Sequence, residues 1–228
     1  MTNQEFSNEF DILYNNIASN QAPGLDEYEK SVFLTTAQEG LVIELLSGNN
    51  PLGNSFEKTE EVRRYLNDIV KTTEMSKYDG NDIIKLTNKS TLYNVPEDLW
   101  YTTYETVKFQ DTNLESSSYE NIEVVPVTQD EFSRIIKNPF RKPSTNRVLR
   151  LDVDGKVELV SDHIIQSYIV RYVKRLEPII LADLPEGLTI RGMSTETICK
   201  LNPALHEAIL GRAVQLAKAS MGLIESGR

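Results

Sequence analysis

The sequence predicts an α+β fold: a helical bundle built from the N-terminal helices and the C-terminal helix, with an antiparallel β-sheet region inserted between them. Three observations carry this. Apolar residues recur at helical spacing at both ends, and strand-forming residues broken by frequent turns fill the middle. The stripes at the two ends also need each other for burial. The expected boundaries are 1–72 and 200–228 for the bundle and 73–199 for the β-rich insertion, which holds one short helix.

Phe6, Phe10, Leu13 and Ile17 fall on one stripe of a first helix. The run 21–24, Gln-Ala-Pro-Gly, breaks it. Asp26, with Glu29 three residues on, can cap a second helical segment, and Thr35-x-x-Gln38 is a better capping box that predicts a further new helix from Thr36. That helix carries Ala37, Leu41 and Leu45, and Gly48 ends it. A third long helix is expected over 56–70, with Val62, Tyr65, Leu66, Ile69 and Val70 on its apolar side.

After Lys71 tyrosine, threonine and valine join the aliphatic residues, which favours strands near 83–86, 92–94, 100–109 and 121–127. Thr128 with Glu131 opens a short helix that stops before Pro139. Asp154-Gly155 between two β-rich runs is a two-residue hairpin signal covering 147–161, and 165–174 continues the sheet. In the last helix Asn202 is the cap and Pro203 the first residue, where a missing N–H costs nothing. Its stripe is Leu205, Ile209, Ala213, Leu216 and Leu223, broadened by Ala217. The tail 225–228 is expected to fray.

The 228 residues carry a net charge of -10, with 39% apolar and 25% charged side chains, as in an ordinary globular protein. No apolar run approaches the ~18 residues of a membrane span. The first residues lack the basic and apolar regions of a secretory signal, which argues against secretion. The single cysteine, Cys199, excludes an internal disulfide, fits a reducing compartment and reads as a small buried hydrophobe. The charge is uneven. Residues 1–62 hold eleven acids and two lysines, whereas 132–151 hold no acid and six bases: Arg134, Lys137, Arg141, Lys142, Arg147 and Arg150. An acidic start and a basic middle are suited to meeting within one chain or between neighbours. Overall acidity argues against sequence-specific nucleic-acid binding.

Catalytic signatures are missing. His206-Glu207 begins an H-E-x-x-H zinc motif, but Leu210 stands where the second histidine belongs. Asp152-x-Asp154-Gly155 lacks the distal acid of a calcium loop and is explained by the hairpin. No phosphate-cradling glycine loop or nucleophile elbow is present. The expectation is therefore a non-enzyme without cofactor or metal. The basic run admits two readings: a solvated or salt-bridging surface, or a contact for phosphate or an acidic protein. Phe132 and Phe140 are too few for a base-stacking platform. The acidic first 62 residues make a protein partner a better functional reading than DNA. Trp100, with Tyr101 and Tyr104, is either sheet core or an interface anchor.

The run FDILYNNIASNQAPGLDEYEKSVFLTTAQEGLVIELLSG, followed by SFEKTEEVRRYLNDIV, resembles the start of the neck ring proteins of crAss-like bacteriophages, and CKLNPALHEAILGRAVQLAKASMG is similar to their closing helix. The resemblance covers about half of the chain, at its two ends. It implies a structural subunit of a homo-oligomeric ring of the head-to-tail adaptor type, commonly of twelve copies. Such rings dock on the portal protein, contact other neck or tail proteins and pass DNA non-specifically along a channel. The implied location is the virion neck, after synthesis in the bacterial cytoplasm.

On this reading Arg134, Lys137, Arg141, Lys142, Trp100 and His206 are candidate subunit or portal contacts. Glu57, Glu60 and Glu61 are candidate channel-facing or interface acids, since like charge keeps DNA from sticking. The alternatives are another virion part, such as a tail-completion or capsid accessory protein, and a metal-dependent nuclease or hydrolase.

Overall fold

A computed structural model describes residues 1–15, 24–47, 60–80, 82–110 and 121–221. Ile17, the turn at 21–23, Gly48, the start of the third helix at 56–59 with Glu57, Leu223 and the tail lie outside them. The chain forms two compact units, Met1–Ile69 with Leu176–Arg228, and Val70–Arg175.

The fold is mixed α+β, organised by a curled seven-stranded sheet, and not the expected helical bundle with an antiparallel insertion. Two physical facts explain the correction. The helices of the first unit bury their faces partly against extended chain and not only against each other. The sheet of the second unit closes on its own core.

In the first unit, α1 spans Asn3–Asn15, α2 Glu27–Ser47, α3 Glu60–Leu66 and α5 His206–Ser220. The α1 stripe is rotated from the expected one: Phe6, Phe10 and Tyr14 are buried, while Leu13 is 39% exposed. No helix starts at Thr36. Instead α2 begins with a reciprocal capping box in which Asp26 Oδ1 accepts the Glu29 N–H at 2.7 Å and Glu29 Oε2 accepts the Asp26 N–H at 3.0 Å.

Thr35 and Gln38 are committed elsewhere. Together with Ser31 they form a polar stripe at helical spacing that satisfies the backbone of the extended segment 177–181. Ser31 Oγ accepts from Leu181 N–H at 3.0 Å, and Gln38 Nε2 donates to the Glu177 carbonyl at 3.0 Å. Thr35 Oγ1 both accepts from Ile179 N–H at 3.1 Å and donates to its carbonyl at 3.3 Å. Asn3 Nδ2 adds a donor to the Ile180 carbonyl at 3.1 Å. The same segment buries Ile179, Ile180 and Leu181.

The last helix starts as expected, with Asn202 Oδ1 accepting the Ala204 N–H at 3.0 Å and Pro203 opening a short 3-10 turn before α5. Leu205, Ile209, Ala213 and Ala217 are buried, joined by Leu210 and Val214. Lys218 Nζ donates to the Leu13 carbonyl at 3.0 Å, tying α5 to the last turn of α1.

The expected third helix is cut short. It stops at Leu66, passes through a 3-10 turn at Asn67–Ile69, and Val70 already belongs to a strand.

The second unit contains β1 (Val70–Glu74), β2 (Ser90–Asn94), β3 (Leu99–Phe109), β4 (Ile122–Pro126), α4 (Gln129–Ile135), β5 (Arg147–Val153), β6 (Lys156–Val160) and β7 (Ile165–Lys174). The strand expected near 83–86 does not form. Sheet order is β1-β7-β3-β4-β5-β6-β2. One pair, β4 with β5, is parallel, so the sheet is mixed; residues 127–146 with α4 provide the dozen or more residues such a crossover needs. Asp154 and Gly155 make the β5–β6 turn with φ of 44° and 67°, the left-handed conformation that this dipeptide tolerates.

The sheet curls until its edges meet. Met75 N–H donates to the Tyr168 carbonyl of β7 at 2.8 Å, and then Tyr78 N–H donates to Leu92 of β2 at 2.8 Å, with Lys77 and Tyr93 forming a bridge. Inside sit Tyr93, Val107, Phe109, Val148, Leu159, Tyr168 and Tyr172. On the outer face Phe132 of α4 covers Leu149, Leu151 and Val160.

Candidate functional site

Among the described residues the basic segment stands out as an exposed surface of one charge sign. It runs from α4 into the crossover loop before β5. Buried Phe132 and Pro143 pin its two ends. Between them Asn138 acts as the hub. Its side-chain oxygen accepts from Phe140 N–H at 2.9 Å, and its carbonyl accepts from Arg141 and Lys142 N–H at 3.1 and 2.9 Å. Arg147, at the start of β5, donates through Nη1 to the Phe140 carbonyl at 2.9 Å. Ser144 and Arg147 exchange backbone bonds of 3.0 and 3.3 Å to close the loop.

The loop is thus fixed by its own backbone and by two side chains, which leaves the others facing water. Lys137, Arg141 and Lys142 are exposed and make no ion pair among the described residues. Arg134 is 78% exposed at its side chain and lies 3.3 Å from Glu131, a pairing of little energetic weight. Arg147 and Arg150 are not part of this free set. Arg150 turns into the curled sheet, where Nη1 meets Glu105 at 2.5 Å and Nη2 meets Asp152 at 2.7 Å.

The other expected residues scatter. Trp100 is half-buried on β3 with its ring 5.1 Å from that of Tyr101, and Tyr101 and Tyr104 are 42% and 51% exposed. Among the described residues this part of β3 pairs with β7 and not with β4, which joins β3 at Thr106 and Val107. A hollow of about 370 Å³ between Thr102–Glu105 and 121–124 marks where the two strands part.

His206 is buried, at 4% exposure, in the first turn of α5. Its Nε2 is bonded to the Leu201 carbonyl at 3.1 Å, its Nδ1 lies 2.7 Å from the Met1 amine, and its ring lies against Phe6 with centroids 5.3 Å apart. Burial holds its pKa below the ordinary histidine value. It therefore serves the packing of its own unit. Glu60 and Glu61 are exposed in the first turn of α3, bonded to Arg64 at 2.6 Å and to the Tyr65 hydroxyl at 2.5 Å. Glu57 lies outside the described residues. Cys199 is half-buried and its thiol donates to Gln38 Oε1 at 3.3 Å; burial raises its pKa.

Charge separates cleanly between the units. The first holds eighteen acids against nine bases, the second sixteen against fifteen, so nearly all of the net charge of -10 belongs to the first. Among the described residues no cluster of three or more His, Cys, Asp or Glu side chains is arranged to hold a metal. No helix there is long and apolar enough to cross a membrane. What the described residues offer is an exposed basic loop on the second unit and a surplus of acids on the first.

A family model described as phage tail ring protein 3/4 matches residues 1–227. The chain belongs to that family. It is also similar to Ring protein 3 of Bacteroides phage crAss001, 48% identical over 220 residues that cover 95% of each chain. Ring protein 4/5 of the same phage is 36% identical over 230 residues, 96% of this chain and 93% of that protein. The match therefore spans the curled sheet as well as the helical ends, where the sequence motifs alone had shown it. The chain is a structural ring protein of a crAss-like phage virion.

A closed ring needs two different patches on each subunit, one to meet each neighbour. The basic loop was visible in sequence as an acid-free run. Its fixed shape was not, since it depends on Asn138 and Arg147 reaching backbone atoms that no spacing rule predicts.

Proposed function

We propose that this ring protein is a homo-oligomeric, head-to-tail adaptor subunit of the virion neck. The ring docks at the portal vertex, continues the DNA channel and joins the capsid to the tail, with twelve copies as the expected number. The observation that carries the reading is the separation of charge. An acidic first unit and an exposed set of cations on the second, of which only Arg134 has an ion-pair partner among the described residues, suit a heterologous contact in which Arg134, Lys137, Arg141 and Lys142 of one copy meet the acidic unit of the next. The same acidity suits a channel wall, because non-specific DNA binding is driven by neutralising phosphates and acids such as Glu60 and Glu61 oppose it.

Charge reversal in Arg141→Glu with Lys142→Glu is expected to reduce the ring to smaller species in native mass spectrometry. An intact ring in that double variant removes the contact. The mass of the wild-type ring gives the copy number, and an image of the particle neck locates the ring. The word "tail" in the family description supports a second reading, a ring lower in the stack, and the same image decides between the two positions.

A further inference from the structure

Phe140 is 89% exposed, yet nothing about its surroundings is loose. Its N–H is held by Asn138, its carbonyl by Arg147, and the N–H groups of the next two residues, Arg141 and Lys142, donate to the Asn138 carbonyl. A large aromatic ring is thus presented to water on a fixed loop that also carries Lys137, Arg141 and Lys142, which make no ion pair among the described residues. An apolar centre with a charged rim is the composition of a protein interface, and a fixed loop loses little freedom on binding.

The same chain carries the complement. On α1, Glu5, Glu9 and Ile12 fall at i, i+4 and i+7, with Leu13 beside them, so all four share the outward side of the helix. Ile12 is 58% and Leu13 39% exposed. This stripe is apolar at one end and acidic along the rest, the opposite sign to the loop.

We propose that Phe140 is the apolar anchor of the subunit contact and seats on Ile12 and Leu13 of a second copy, with Lys137, Arg141 and Lys142 facing Glu5 and Glu9 there. The inference rests on the ring reading above and sharpens it to two named patches. The two patches differ, so the contact is heterologous and can repeat from copy to copy, as a ring requires. Duplex DNA is the poorer occupant. Its bases are already stacked, and one isolated aromatic offers no platform.

The test places the photo-crosslinker p-benzoylphenylalanine at position 140 and irradiates assembled rings. The expected product is a covalent dimer whose cross-linked peptide comes from residues 1–15 of the partner. Cross-links that map elsewhere on the partner, or to DNA in filled particles, overturn the proposal.

Phe140→Ser and Ile12→Ser are each expected to weaken assembly by roughly tenfold or more, the scale of a hot-spot residue. Both positions are exposed, so the monomer melting temperature should stay unchanged. A ring that survives both variants while Arg141→Glu with Lys142→Glu breaks it would overturn the anchor and leave the electrostatic contact standing. Survival of all three would overturn both.

Discussion

Glu105 and Arg150 meet at 2.5 Å inside the curled sheet, and the Tyr168 hydroxyl donates to the second oxygen of the same carboxylate at 2.5 Å. The two charged side chains are only 10% and 18% exposed. Burial works against the Arg150 charge, but Glu105 and Asp152 more than offset it and hold the guanidinium protonated. Burial, followed by the adjacent Glu105 carboxylate, raises the Tyr168 phenol well above its ordinary value, so it stays a donor at neutral pH. Replacing Glu105 with Ala would leave a buried cation and a buried hydroxyl without their shared acceptor. The expected cost is about 3–5 kcal/mol of stability, read by urea denaturation. A loss below about 1 kcal/mol would show that the network adds little.

Thr35 provides a second, independent measure of how the first unit is held. Its hydroxyl serves both backbone groups of Ile179, at 3.1 and 3.3 Å, in a fully buried setting. Thr35→Val keeps the volume and removes both bonds, so about 2–4 kcal/mol should be lost as two buried polar groups go unsatisfied. Thr35→Ser keeps the hydroxyl and should retain most of that. The Ile179 amide should exchange with deuterium faster in the Val variant and not in the Ser variant. Equal exchange in both would mean that the helix does not need the hydroxyl to hold the segment 177–181.

These two sites also show where the sequence was legible. The hairpin at Asp154-Gly155, the α5 start at Asn202-Pro203 and the long strands β3 and β7 each carry a local signal that tertiary structure had no cause to override. Thr35 and Gln38 were misleading because a polar residue at helical spacing looks the same whether it caps a helix or serves a distant backbone. The closure of the sheet was invisible because Met75, Ser76, Lys77 and Tyr78 bond through backbone atoms, with no alternating apolar pattern to betray a strand. The parallel β4–β5 pair was missed for a similar reason: α4 was read as an isolated short helix and not as a crossover. At the candidate site the cations were readable by counting, whereas the exposure of Phe140 depends on a loop geometry that composition does not encode.

His206 predicts how the first unit responds to acid. Its folded pKa is lowered by burial, while in the unfolded chain it titrates near 6.5. Between those two values the unfolded chain binds a proton that the folded chain refuses, so unfolding is favoured as pH falls. The contribution is fully present above about pH 6.5 and is lost as pH drops through the lowered value, at no more than about 1.4 kcal/mol per pH unit. His206→Gln removes this term. Urea denaturation at pH 7.5, 6.5 and 5.5 should therefore show a smaller loss of stability in the variant than in the parent chain. Parallel pH curves for the two proteins would place the acid sensitivity on other groups.

The proposed subunit contact has its own signature in salt. Lys137, Arg141, Lys142, Glu5 and Glu9 are all on the surface before assembly, so their attraction acts through water and is screened as ionic strength rises. The screening length falls from about 10 Å at 0.1 M to about 3 Å at 1 M salt. Phe140 on Ile12 and Leu13 responds in the opposite sense, since burial of apolar surface survives screening and is strengthened by sulfate. Ring formation followed by light scattering should therefore slow as sodium chloride is raised, with the assembly rate falling more than the dissociation rate rises, because steering acts mainly on encounter. Ammonium sulfate at equal ionic strength should hold assembled rings together better than sodium chloride does. A ring whose assembly rate is indifferent to sodium chloride would rule out opposite charges as the means by which the basic loop finds α1.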